Sequence, residues 1–340
     1  MQLEILKPRT MMQSEDSPMS EHLADGNVRV SIEYVSLCGS DRKLFEGTYQ
    51  GPHRYPIKFG HEWSGRVTMT APGSRLKEGD LVTGDCSRYC GRCRECSVDL
   101  NTCHRIEKFG ITVDGFSQSV VDVEERYLYR VPRTLPSALA AIVEPTAVAF
   151  RAVAPYADLG TEHGTLIVGA GQIGLAAGLI LQSLGVHDIT VCDESPERLV
   201  LAEEILGSVK TETATQMYAG LTYEEQSRSA RYGFVFDATG SSSGLAHGLV
   251  RADYHGTIVT VGMLREPQVP LNLVTTKALH LNGSIGGSGA FPEVMNLMSQ
   301  RSTTFNGLIG RQVTAARWRE VFEGLSARAR DQINFGGNDD

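Results

Sequence analysis

From residue 28 to about 130, hydrophobic positions come in short runs broken by glycine, proline and aspartate: VRVSIEYVSL, EWSGRVTMT, DLVTGD and FSQSVVDV. Runs this closely spaced predict a compact β-rich barrel or sandwich, not alternating β and α units. The pattern changes after VPRTLPSALAAIVEPTAVAFRAV. There TLPSALAAIVEP reads as a helix opened near Pro136, and a second helical stretch runs through Arg151. Next, TLIVGAGQIGLAAGLILQSLGVHDITVCDESPERLVLAEEIL reads as an apolar strand, a glycine turn, a long apolar helix, a strand ending in Asp193 and another helix. YGFVFDATG, GTIVTVGM and ALHLNGSI are further strand candidates. Strands alternating with helices predict a parallel sheet covered on both faces. The chain carries no internal repeat at the periods of solenoids or propellers. From about Phe291 it returns to mixed helix and strand, expected to pack back on the first domain, and the last residues, GGNDD, read as frayed.

Composition narrows the function classes. A chain of 340 residues has room for two cores, and 41% hydrophobic with 21% charged residues is a soluble globular balance. A formal net charge of -8 argues against nucleic acid and acidic membrane surfaces as partners. No apolar run is long enough to span a bilayer, and MQLEILKPRTMMQSEDSP lacks the apolar core of a secretory signal. Seven cysteines is an odd number. The expectation is therefore a cytoplasmic protein with reduced thiols, where clustered cysteines bind metal more often than they form disulfides.

Gly169, Gly171 and Gly174 in VGAGQIG form a G-x-G-x-x-G after an apolar strand and before a helix. In that context the glycines allow a tight turn, close approach of a pyrophosphate and close helix–strand packing, while the helix N-terminus offers N–H groups. The bland reading is a tight βα turn without a ligand. Asp193, 24 positions after Gly169, is placed to accept hydrogen bonds from an adenosine ribose, and Glu194 beside it would repel a 2′-phosphate. Together they favour NAD over NADP, with Arg198 the one nearby opposing charge. Gln172 and Ile173 in the turn and Val261 after GTIVT complete the expected cofactor-binding set.

Five of the seven cysteines lie in GDCSRYCGRCRECSVDLNTC, residues 84 to 103. Cys90, Cys93, Cys96 and Cys103 have spacings that turn four thiolates onto one closed tetrahedral metal site, with Cys86 left over as a buried or half-buried thiol, or as a replacement for one of the four. A redox C-x-x-C, an iron–sulfur cluster and a nucleic-acid zinc ribbon are the competing readings. The stretch holds three arginines against Asp85, Glu95 and Asp99, so it lacks the basic surface of a ribbon. Elsewhere, LCGSD, FGHEWSG and VEPTAV contain Cys38, His61, Glu62 and Glu144. These could supply a thiolate, imidazole and carboxylate set with an open position. Each also has an ordinary reading as a small buried residue, a loop histidine or a helix-end carboxylate.

The order C-G-S-D, G-H-E, cysteine lobe, E-P and glycine fingerprint resembles the zinc-dependent medium-chain dehydrogenase/reductase family, relatives of alcohol, sorbitol and threonine dehydrogenases. The likeness covers nearly the whole chain. It implies an α/β protein with a GroES-like β-rich catalytic domain at 1–144, carrying a structural-zinc lobe at about 84–104. A Rossmann, doubly wound parallel-sheet NAD-binding domain follows at 145–285, and a segment at 286–340 returns to the catalytic domain. It implies a catalytic zinc on Cys38 and His61 with Glu62 and Glu144 bound directly or through water, and a structural zinc on Cys90, Cys93, Cys96 and Cys103. Asp41 matches the carboxylate that orients the histidine, and Ser40 the hydroxyl that accepts the substrate proton. Lys43 stands where a relay histidine is common. Glu144-Pro145 resembles the polyol and sugar branch. The combination LCGSD, GHEWSG and a tight cysteine run is similar to the 2-deoxy-scyllo-inosamine dehydrogenases of aminoglycoside antibiotic biosynthesis. The implied partner is a small-molecule substrate, a polyol, sugar or aminocyclitol, oxidised at a secondary alcohol in a homodimeric or homotetrameric enzyme. The alternatives are a dehydrogenase of a simpler alcohol or of threonine, and a cofactor-binding regulatory relative without activity.

Overall fold

Strand Asn27–Ser36 shows how the alternating pattern becomes a sheet: Val28, Val30 and Ile32 are fully buried while Arg29, Ser31 and Glu33 between them are not. In the computed structural model, which describes residues 1–214, 222–264, 269–324 and 329–337, this strand is the centre of a seven-stranded sheet. It pairs antiparallel with Glu62–Thr70 and Val120–Glu124, and the sheet continues through Leu81–Gly84 to Leu128–Arg130. On its other flank lies Arg330–Asn334, antiparallel to it, and then Ile309–Thr314. The end of the chain is thus built into the same sheet as residues 27–36.

Contact clustering divides the chain into a first unit of Met1–Ala147 with Gly286–Asp340 and a second of Val148–Ile285. The core of the first unit is rich in aromatic contacts. Trp63 stacks on Phe116 with ring centroids 4.1 Å apart, and Phe322 meets Phe45 and Phe59 edge-on. One element of this unit escapes the sequence pattern: the hairpin Gln2–Lys7 and Thr10–Ser14, which buries Leu3 and Ile5. Its short apolar stretch is cut by Lys7-Pro8 before any period is established.

The second unit is a six-stranded, all-parallel sheet in the order Lys210–Thr213, Ile189–Asp193, Thr165–Val168, Tyr232–Asp237, Ala252–Thr260, His280–Gly283. In chain order this is 3-2-1-4-5-6, the doubly wound arrangement, with its switch point between Thr165–Val168 and Tyr232–Asp237. The buried strand TLIV and the helix Gln172–Ser183 are apolar all round because both are covered. Lys210–Thr213 was not legible: KTET has no apolar residue and sits at the sheet edge. The terminal residues 338–340, expected to fray, lie outside the described residues.

Candidate active site and metal centres

The glycine turn takes the form its spacing predicts. Gly169 has φ +101°, and a Cβ on Gly174 would stand 1.8 Å from the Gly169 carbonyl oxygen, so a side chain there would force strand and helix apart. Gly171 caps the helix Gln172–Ser183. Gly169, Gly171, Asp193, Glu194 and Arg198 line one cavity of about 240 Å³ at the carboxyl ends of the strands. Thr239, Ser241 and Gly244 line it too and were not singled out in the sequence, although the DATGSSSG turn after an apolar strand is the same kind of signal. Asp193 is already engaged: it accepts N–H bonds from Ala170 (2.8 Å) and Ser195 (2.9 Å) and stands 3.7 Å from Arg198. It therefore fastens the glycine turn to the second strand and leaves its remaining lone pairs for a ligand. Gln172 is buried, its side-chain amide without a hydrogen-bond partner among the described residues. Ile173 is half-buried beside it, and Val261 donates its N–H to the Asp237 carbonyl (3.2 Å) just beyond the strand, outside the cavity lining.

In the first unit, Cys38 is the N-cap of helix Gly39–Glu46. The fully buried Asp41 accepts the Cys38 N–H (2.8 Å) and the Gly60 N–H (3.2 Å), tying the two loops that carry Cys38 and His61 together. Its carboxylate lies 3.7 Å from His61 Nδ1. Donor atoms of Cys38, His61 and Glu62 lie within 4.8 Å of one another. Glu144, in the first turn of helix Val143–Val153 and 4% exposed, stands outside that tight triplet, near enough for its charge to act on His61 and Glu62.

Sequence reasoning missed Arg330. Its guanidinium is buried and donates to Glu62 Oε1 (2.8 Å) and to the Leu37 carbonyl (3.1 Å). An arginine so far along the chain carries no local signal; only the sheet topology delivers it. Electrostatics follow from this packing. Burial would raise the Cys38 thiol, but Arg330 and the hydrogen bond and charge of His61 outweigh it and hold the thiol low. Burial would lower His61, but Asp41 and Cys38 outweigh it and hold the imidazole well up. Burial drives the Glu62 carboxyl up against the pull of Arg330. Burial, Asp41 and Arg330 thus set the charges of Cys38, His61 and Glu62 against one another in a desolvated cluster.

Three polar atoms there, Ser40 Oγ, His61 Nδ1 and Glu62 Oε2, are buried and lack a hydrogen-bond partner among the described residues. Unsatisfied buried donors and acceptors gathered beside a thiolate fit a metal and a substrate hydroxyl, which would supply the missing partners. Lys43, on the same helix, is exposed.

The cysteine lobe is a separate cluster. Cys90, Cys93, Cys96 and Cys103 converge, with Sγ atoms 4.0 Å apart for Cys90–Cys96 and 3.9 Å for Cys93–Cys103. Those separations are far beyond a disulfide bond and match the roughly 3.8 Å edge of a tetrahedron with zinc–sulfur bonds of about 2.3 Å. Backbone N–H groups of Cys90 and Arg105 point at Cys103 Sγ, and that of Cys96 at Cys93 Sγ, each at 3.4 Å. Two short turns, Glu95–Ser97 and Leu100–Thr102, fold the connecting loop, the second capped by Asp99. Cys86 stands apart, buried, with its thiol 3.8 Å from Lys108 Nζ and pushed up by burial and then by Glu144.

Residues 24–133 match the alcohol dehydrogenase GroES-like domain family and residues 173–300 the zinc-binding dehydrogenase family. The chain belongs to the zinc-dependent medium-chain dehydrogenase/reductase superfamily; it is an oxidoreductase acting on CH–OH groups with zinc and a nicotinamide cofactor. Among similar proteins, an uncharacterized zinc-type alcohol dehydrogenase-like protein of Haemophilus influenzae is 29% identical over 295 residues, 84% of each chain. The D-arabitol-phosphate dehydrogenase of Enterococcus avium is 26% identical over 308 residues, 88% of this chain and 86% of that one. A protein of Escherichia coli CFT073 described as a short chain alcohol dehydrogenase, solved with NADH, shares the fold with a TM-score of 0.86 over 98% of both chains at 24% identity. No described helix is long and apolar enough to cross a membrane.

Proposed function

We propose that this protein oxidises a secondary alcohol of a polyol or sugar-like ring, an aminocyclitol of the 2-deoxy-scyllo-inosamine kind being the specific candidate, with NAD as the acceptor. The observation that carries the reading is the donor set. Cys38, His61 and Glu62 bring their donor atoms together and the buried Glu144 acts on them through its charge; in this reading a carboxylate takes the position of the second thiolate of a simple-alcohol site of the Cys₂His type. Relatives named for sugar alcohols support it: the D-arabitol-phosphate dehydrogenase already described, a sorbitol dehydrogenase of Halalkalibacterium halodurans, 26% identical over 311 residues, and a probable D-xylulose reductase A of Aspergillus clavatus, 27% identical over 324. The amino-substituted ring is favoured by acid near the site. Asp85 is 1% exposed, and burial pushes its carboxyl up to about 6 against hydrogen bonds from Ser288 and Ser87, with Glu144 raising it further. A substrate ammonium would relieve that concentration of buried negative charge.

When bound, zinc on Cys38, His61 and the neighbouring carboxylates supplies Lewis acidity towards the substrate oxygen, and the nicotinamide supplies the hydride acceptor. The chain's own part is to hold and move the proton and to keep the donors in place. Asp41 fixes the position of His61 and of the Cys38 backbone. Arg330 holds Glu62 by one carboxylate oxygen and leaves the other directed into the site. Ser40 Oγ takes the proton of the substrate hydroxyl as it gives up its own hydrogen, which leaves through the cofactor ribose and water past the exposed Lys43 or by another route. Asp193 and Glu194 favour a free ribose 2′-hydroxyl over a 2′-phosphate.

A spectrophotometric screen of aminocyclitols, sorbitol, threonine and simple alcohols with NAD and with NADP tests the proposal. The highest kcat/KM is expected on a cyclitol or polyol with NAD. Best turnover on a simple alcohol would reject the substrate class, and a clear preference for NADP would reject the cofactor assignment.

A further inference from the structure

A third group of metal-binding side chains lies in the second unit. Cys192 and Glu212 are direct register partners on the adjacent parallel strands Ile189–Asp193 and Lys210–Thr213, so their side chains leave the sheet on the same face. His247, on helix Ser242–Arg251, covers that face. Cys192 is fully buried and His247 is 4% exposed.

Both strand residues aim at the same ring nitrogen. His247 Nε2 is 3.4 Å from Cys192 Sγ and 2.9 Å from Glu212 Oε1. An imidazole nitrogen has one in-plane hydrogen or one lone pair, so a hydrogen bond can satisfy only one of these partners well. A single cation among the three would satisfy all of them. The donor atoms lie within 4.8 Å of one another; the sulfur–nitrogen separation is close to the roughly 3.5 Å edge of a tetrahedral zinc site, and the nitrogen–oxygen pair, at hydrogen-bond distance in the metal-free protein, would open by about 0.4 Å on binding. The surroundings are built for it. Arg251 donates to the other Glu212 oxygen, Oε2 (2.8 Å), orienting the carboxylate so that Oε1 faces the histidine. Leu245, Leu249 and Val168 pack in the same apolar cluster as Cys192 and exclude water.

We infer that Cys192, Glu212 and His247 form a further metal site, for a borderline-soft divalent ion of the zinc class. The ligand types select this class: thiolate and imidazole disfavour magnesium and calcium, and a lone thiolate does not make an iron–sulfur site. Binding displaces one proton from the Cys192 thiol, which forms the metal–sulfur bond as thiolate. Uptake of the ion therefore releases a proton to solvent and weakens as pH falls.

The test compares wild-type protein with Cys192→Ser and His247→Asn after equilibration with excess zinc and gel filtration into metal-free buffer, reading zinc per chain by mass spectrometry. Wild type is expected to retain one equivalent more than either variant. Because the reading is a difference, it stands whatever the cysteine lobe and the Cys38 site hold. Circular dichroism and NADH-binding fluorescence show that each variant is folded. If His247→Asn fails that control, the near-isosteric Cys192→Ser carries the test alone. Loading with cobalt gives a second reading, since a thiolate-to-cobalt band in wild type minus Cys192→Ser reports the sulfur ligand itself. Equal zinc content in wild type and folded variant would overturn the site, as would a featureless cobalt difference spectrum.

Discussion

Cys90, Cys93, Cys96 and Cys103 come from one stretch of chain folded by two short turns, and each cluster member is held by its neighbours in sequence. Cys38, His61 and Glu62 come from a helix cap, a loop and a strand, fastened by Asp41 and by Arg330 from the far end of the chain. The first arrangement closes four sulfurs on one another and meets two of them with backbone N–H groups. The second leaves a hydroxyl, an imidazole nitrogen and a carboxylate oxygen buried and unpartnered. A site that must admit a substrate carries unsatisfied groups at a cost of roughly 1–3 kcal/mol each, and the surrounding hydrogen bonds have to offset it. A clasp carries none, so its ligands can all be local.

The contrast can be broken most decisively at the scattered site. Cys38→Ser or His61→Ala should lower kcat by on the order of 10³-fold or more, the worth of several kcal/mol of Lewis acidity, and should lose one zinc while the fold persists by circular dichroism. Near-normal turnover in a zinc-depleted variant would dissolve the distinction. Next in size is the reverse result at the lobe. Cys103→Ser should lower Tm by about 10 °C and cost a different zinc equivalent, with residual activity lost through unfolding, not chemistry. An unchanged melting curve would mean that the lobe is no clasp.

The smallest expected effect sharpens the comparison through pH. Metal binding needs Cys38 as thiolate and His61 neutral. Asp41 and Cys38 hold the His61 imidazole up, against burial, so zinc uptake displaces its proton across the neutral range. The Cys38 thiol is held down at about 6, so below that pH a second proton must also leave. Zinc affinity at this site should therefore fall with falling pH, and more steeply below 6 than above. Competition with a chelator at several pH values, reading wild type minus Cys38→Ser, would show it; a constant slope would exclude the thiolate–imidazolium pair.

These differences explain what the sequence disclosed. The lobe, the glycine turn and the buried strand TLIV were legible because their physics is local: spacing, a forced backbone conformation and a continuous apolar run. Cys38, His61 and Glu144 could be singled out from flanking motifs, while their individual residue types would have fitted ordinary structural positions. The cavity-lining Thr239 and Ser241 sit in a glycine-containing turn after an apolar strand, which is a local signal, whereas Arg330 was not legible as functional, because nothing near it in sequence records what the sheet brings alongside. The same holds for Lys210–Thr213, whose polar residues became a strand through pairing with Ile189–Asp193, not through pattern.

Strand Arg330–Asn334 has a consequence for how the molecule is made. Its partners in the sheet, Tyr34 to Ser36, leave the ribosome nearly three hundred residues earlier. Until residue 330 emerges, the central strand has an open edge on that side and Glu62 has no guanidinium beside it. The second unit, contiguous in sequence, can fold in the interval; the first must wait for both its ends. Synthesis therefore completes the cofactor-binding half of the protein before the half that handles the alcohol.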